Sequence, residues 1–198
     1  MGAQRHEPVV FQDPPIARAL FSDPRYAWVW LPVRLYLGYA WLDASLHKLG
    51  DPRWMVTGEA VKEFWQRQVQ VPPGGRPPIT YDWYRDFLLF LLQGGHWTWM
   101  AKLIAIGEFL VGVALILGAF VGIAAFFGAF MNMNFMLAGV VSTNPVLFTL
   151  AILLMLAWKT AGWWGLDRWL LPLLGTPWQP GAIFGYRPPF GPARASTA

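Results

Sequence analysis

A chain of 198 residues that is 56% hydrophobic and only 13% charged falls well short of the ~25% charge of ordinary soluble domains, so it reads as a membrane protein. It contains no cysteine, which excludes disulfides, iron–sulfur ligation, thiol catalysis and c-type haem attachment on this chain. Three histidines leave little for a metal or haem, so no metal site is expected, and a net charge of +4 spread over the loops describes no nucleic-acid surface.

Residues 1–25 are polar, with Pro14 and Pro15 breaking any long helix. A short amphipathic helix over 16–21 could lie on the membrane surface. No basic–apolar–small cleavage pattern precedes Tyr26, so no signal peptide is expected. The first span is predicted over 26–49 and opens on an aromatic belt of Tyr26, Trp28 and Trp30, the type of side chain that favours the headgroup boundary. On a helix, Arg34, Gly38, Trp41, Ser45 and Lys48 share one face, while Asp43 and His47 share the opposite one and can pair. Polar groups on both faces predict a central helix. Lys48, near the helix end, is expected to snorkel to the interface, and Arg34 to take an ion pair.

The loop 50–96 carries a surface-helix pattern over 57–70, with Ala60, Val61, Phe64 and Trp65 on one side. A Pro/Gly linker follows at 72–78, then a second short helix over 81–92. The whole loop is expected to cap one mouth of the bundle. The second span is predicted over 97–119, with Gly107, Ala114 and Gly118 as a small-residue seam. The third covers 120–141 and the fourth 146–163, with an amphipathic exit helix at 165–175. The fold class expected is all-α: an integral membrane four-helix bundle, with a long extramembrane loop carrying short interfacial helices between spans 1 and 2. Its parts are a polar segment 1–25, the membrane domain 26–173 and a Pro/Gly-rich tail 174–198. Basic residues favour, by a small margin, cytoplasmic termini and an extracytoplasmic loop.

The stretch 102–139 is almost wholly apolar and holds Glu108, Asn132 and Asn134. An acid at membrane depth costs at least ~2.5 kcal/mol, so it needs a partner, a cavity or a proton. Counting ~1.5 Å per residue from each boundary puts Arg34 and Glu108 within about 5 Å in depth, with Asn132 level with them. The expectation is an intramembrane polar cluster of Arg34, Glu108 and Asn132, with Asn134 nearby. A shallower group of Asp43, His47, Lys48, His96 and Asn144 is expected at the loop-side mouth. Two readings stand. The polar residues either fix helix register, or they line a pocket for a polar-headed membrane molecule such as a quinone, touched by Asp43, His47, Lys48, Trp41 and His96. No catalytic residue is assigned.

Several motifs resemble the DoxX/DoxD family. These are R-x3-G-x2-W-x6-K (Arg34, Gly38, Trp41, Lys48), G-E-x3-G-x5-G (Gly107, Glu108, Gly112, Gly118), the Asn144–Pro145 pair, and G-x2-G-L-D-R (Gly162, Gly165, Leu166, Asp167, Arg168). The resemblance runs in family order over roughly 28–178. It implies a four-helix membrane protein of a quinone-linked redox system. The DoxD branch is the membrane subunit of a thiosulfate:quinone oxidoreductase, and MauE-type relatives with a similar bundle support protein maturation. Quinone is then the one cofactor implied, and a redox partner subunit, the lipid bilayer and further copies of the chain are the partners to consider. The rival readings are a non-catalytic scaffold or anchor that recruits a redox partner through its outer loop, and a small transporter.

Overall fold

The computed structural model describes residues 13–175; expectations for 1–12 and for the tail beyond Gly175 lie outside the described residues. Every regular element among them is helical. In chain order these are α1 (Pro15–Ser22), a 3-10 turn (Pro24–Val29), α2 (Trp30–Leu49), α3 (Pro52–Met55), α4 (Glu59–Gln68), α5 (Asp82–Gln93), α6 (Trp97–Leu117), α7 (Val121–Leu137), α8 (Asn144–Leu156) and α9 (Asp167–Leu174). Proline sits in the first turn of α1, α3 and α8, where its missing N–H would have no helical partner anyway. Among the described residues one helix, α6 with 21 residues, is long and apolar enough to cross a membrane by length and composition. α7 and α8 are apolar but shorter.

The span expected over 146–163 is cut short, because α8 ends at Leu156 and the chain continues in turns. It leaves the helix to fold back on the α6–α7 turn, where the Leu166 N–H donates to Leu117 O at 3.1 Å and the Asp167 N–H to Gly118 O at 2.8 Å.

α2 and α6 run antiparallel at glycine-sized distance. A Cβ on Gly112 would lie 2.7 Å from Leu42 Cγ, and one on Gly38 would lie 3.0 Å from Ile116. The expected seam of Gly107, Ala114 and Gly118 is not this contact: a Cβ on Gly107 would meet only the Met131 sulfur, at an ordinary 3.7 Å. α7 closes the third side, with Gly128 under the Trp41 indole. Leu37, Trp41, Leu115, Val121, Ala125 and, from α8, Leu154 form the core among these helices. A second core joins the loop to the bundle: Val61 and Trp65 of α4, Tyr84, Leu88 and Leu91 of α5, and Ala101 and Ala138 from the adjoining ends of α6 and α7.

The register sets depth. Carried on from the Gly38–Ile116 and Leu42–Gly112 contacts, the end of α2 at Leu49 falls opposite Ala105. The first two turns of α6 are therefore flanked by α3 and α4 instead of α2. The outward faces are apolar as well: Trp99, Leu103, Ile106 and Leu110 on α6, and Ile123, Phe126, Phe127 and Phe130 on α7 are all exposed.

Candidate functional site

The offset between α2 and α6 brings Lys48 beside Glu108. Lys48 Nζ lies 2.5 Å from both Oε1 and Oε2 of the carboxylate. The Glu108 side chain is 1% exposed and that of Lys48 20%. The acid is thus sealed inside while the base reaches it from the mouth. The ammonium also lies 4.9 Å from the Trp54 ring centroid and 5.8 Å from that of Phe135, within cation–π range. Two opposite charges offset each other's desolvation only when the geometry is this close.

The same three helices carry buried polar groups without protein partners. Asn132 is wholly buried, and among the described residues neither its Oδ1 nor its Nδ2 has a hydrogen-bond partner; nor does Trp41 Nε1. Trp41 lies two turns before Lys48 on the buried face of α2. Its indole covers Gly128, one turn before Asn132 on α7, and Met131 beside Asn132 meets Gly107 beside Glu108. The α2–α6–α7 junction therefore holds a cation, an anion, a carboxamide and an indole N–H. Each unpaired buried polar group costs about 1–3 kcal/mol unless something meets it. Ser45, between Trp41 and Lys48, has its hydroxyl on Leu42 O at 2.9 Å.

Arg34 is not part of this site, and its expected pairing with Glu108 does not form. Its guanidinium lies at the opposite end of α6, where Nη2 donates to Trp164 O at 3.2 Å and the head fills the space that a Cβ on Gly118 or Gly165 would need. Gly118 and Glu108 are ten residues apart on one helix, about 15 Å. Equal counting from both boundaries fails because α2 and α6 are staggered. The charge near Arg34 is Asp167, whose carboxylate accepts from the Phe120 N–H at 2.5 Å and the Val121 N–H at 2.9 Å. It caps the start of α7 beside Phe120, a non-glycine residue held at φ 47°.

The other expected members also separate. Asn134 donates to Phe130 O at 2.8 Å and accepts from the Tyr84 hydroxyl, so it anchors α5 to α7 instead of joining the cluster. Asp43 and His47 are exposed on the outer face of α2, because the stripe carrying Trp41 and Lys48 takes the inward face. His96 packs between Phe90 and Trp99, its Nδ1 accepting from Trp99 Nε1 at 3.2 Å. Asn144 turns back to Val140 O. Of the five ligand candidates, Trp41 and Lys48 are in the site. Sequence reasoning missed Asp167, Trp54, Phe135 and Tyr84. The Asp of G-x2-G-L-D-R, an acid following two glycines, was the available signal for a cap; nothing marked the aromatics.

Tyr84 gives a pH-dependent test of the loop's attachment. Its hydroxyl donates to Asn134 O at 3.0 Å, and burial pushes the phenol up from 10.0 to about 12. A raised folded value means the native state holds that proton more tightly than the unfolded chain. The contribution is therefore complete below pH 10 and lost as pH rises through about 12. Absorbance titration is expected to show a tyrosinate step near pH 12 that disappears in Tyr84→Phe. That variant should also be about 1 kcal/mol less stable; an unchanged titration would contradict the burial of this side chain.

Among the described residues no group of His, Asp or Glu lies together as metal ligands would. Fold and site define an all-helical bundle with a buried ion pair at a three-helix junction. Compared with known proteins, the chain matches no family model, no curated protein and no solved structure.

Proposed function

We propose that this protein is a DoxX-like four-helix membrane subunit of a quinone-linked redox system, with thiosulfate oxidation as the reaction class the motif resemblance suggests. The four crossings are α2, α6, α7, and α8 continued by the turns after it. The loop 50–96 lies on one side and both ends of the described chain on the other, the cytoplasmic side by the balance of basic residues. The outward apolar faces of α6 and α7 support the membrane setting, since a helix apolar all round belongs in a large core or a bilayer.

One observation carries the functional reading: the α2–α6–α7 junction that holds the Lys48–Glu108 pair also holds a carboxamide and an indole N–H with no hydrogen-bond partner in the described chain. Those groups are donors and acceptors of the kind a quinone head would use. Trp41 Nε1–H and Asn132 Nδ2–H can donate to carbonyl oxygens, Asn132 Oδ1 can accept from a hydroxyl, and Lys48 and Glu108 can hold or pass a proton. A bound quinone would supply the two-electron acceptance. The chain has no cysteine, so sulfur chemistry belongs to a partner subunit.

The test is extraction of quinone from protein purified in native lipid discs. Wild type is expected to retain it, while Asn132→Leu and Trp41→Phe lose it with helicity unchanged. No retained quinone in wild type, together with unaltered partner turnover in Glu108→Gln, would sink the proposal. The scaffold reading draws on the separate hydrophobic core under α4 and α5, which makes the loop a firm platform. It predicts that reversing the exposed charges Glu59 and Arg67 releases a partner while quinone content stays the same.

A further inference from the structure

α5 carries more apolar surface than the loop core uses. Tyr84, Leu88 and Leu91 face the second core. Trp83, Phe87 and Phe90, at spacings of four and three, form a separate stripe on the helix, and Trp83 and Phe90 are each 62% exposed. Asp82, Arg85 and Asp86 fall on a third side, where Asp82 and Arg85 pair at 3.2 Å. A helix with one apolar face on protein, a second turned outward and its charges on the remaining arc is built for a boundary between three media.

Depth identifies the outer medium. The Tyr84 hydroxyl reaches Asn134 O. By the α6–α7 register set at Gly107–Met131 and Val111–Gly128, Asn134 is level with Ile104. That is inward of Lys102, an exposed cation on α6. The stripe also runs on without a break into the outward face of α6: Phe90 meets His96 at 5.8 Å, His96 meets Trp99 at 5.9 Å, and Trp99 leads to Leu103 and Ile106. We infer that α5 is a half-inserted interfacial helix whose Trp83–Phe87–Phe90 stripe is covered by lipid at the loop-side boundary, as an extension of the lipid-facing surface of α6. Indole and phenyl rings suit that level. The inference rests on the membrane setting proposed above and is independent of what binds at Lys48 and Glu108.

The cysteine-free sequence makes the experiment clean. Single variants Phe87→Cys, Phe90→Cys, Leu103→Cys and Glu59→Cys, all at exposed positions, are spin-labelled in detergent and reconstituted in phosphatidylcholine–phosphatidylglycerol vesicles. Collision rates with oxygen, which concentrates in lipid, are compared with those of a water-soluble nickel chelate. Labels at 87 and 90 are expected to favour oxygen several-fold over the label at 59, as the label at 103 does. If 103 favours oxygen while 87 and 90 behave like 59, the inference about α5 falls and the membrane reading stands. If 103 itself favours nickel, the membrane reading falls and takes the inference with it. Labels at 87 and 90 that meet neither reagent would mean a protein partner or a second copy covers the stripe, and that also overturns it.

Discussion

Lys48→Met is expected to destabilise the bundle by about 3–5 kcal/mol, the cost of stranding one member of a buried ion pair. The carboxylate left behind is 1% exposed and pairs with no other cation among the described residues. Glu108→Gln should cost less, because Lys48 is 20% exposed and its stem can carry the ammonium to the mouth, against Trp54. The double variant Lys48→Met, Glu108→Met should recover most of the loss, since an apolar pair of similar volume often replaces a buried ion pair without penalty. Thermal unfolding in detergent micelles, followed by circular dichroism, measures all three. Equal melting temperatures for wild type and Lys48→Met would show that the pair does not hold α2 to α6.

At the opposite end, Asp167→Ala should lower stability by about 3 kcal/mol or more, because it removes two hydrogen bonds to a charged acceptor. The Phe120 and Val121 N–H groups lose their cap, and Arg34 loses an opposite charge in its surroundings. Asp167→Asn keeps one acceptor oxygen and should fall between. Gly118→Ala attacks the same junction from the other side: φ is +68° there, and a Cβ would fall on the Arg34 guanidinium and lie 2.9 Å from Gly165 Cα. Strain of roughly 1–3 kcal/mol from the backbone alone then adds to the displaced arginine. Limited proteolysis at the α6–α7 turn should report both variants. Resistance equal to wild type in Asp167→Ala would mean the cap is dispensable.

The helical class and the apolar stretches were readable because composition and span length depend on one segment at a time. The polar residues that matter were readable for the same reason: a charge inside an apolar run must be satisfied, and Arg34, Lys48, Glu108 and Asn132 are all buried or half-buried. Which of them meet was not readable. Partnership depends on how far α2 slides along α6, and that is fixed by Gly38 against Ile116 and Gly112 against Leu42, contacts between residues with no charge to advertise them. Bringing Arg34 to Glu108 instead would take a slide of about 15 Å. Lys48 looked like a snorkelling residue because it is near the end of its own helix. It is half inside because α3 and α4 flank the first turns of α6, and Trp54 of α3 lies against its ammonium. Asp167 lies in one of the motifs that carry the resemblance, yet its target, the backbone at Phe120, is visible only once the chain folds back.

That fold-back has a consequence for biogenesis. Synthesis completes the α6–α7 hairpin before residue 167 is added, so the hairpin first exists with two bare amides and a guanidinium lacking its counterion. The junction is completed only when the segment after α8 returns and latches, so a chain stopped short of Leu166 lacks the cap on α7 even though all its long apolar helices are present.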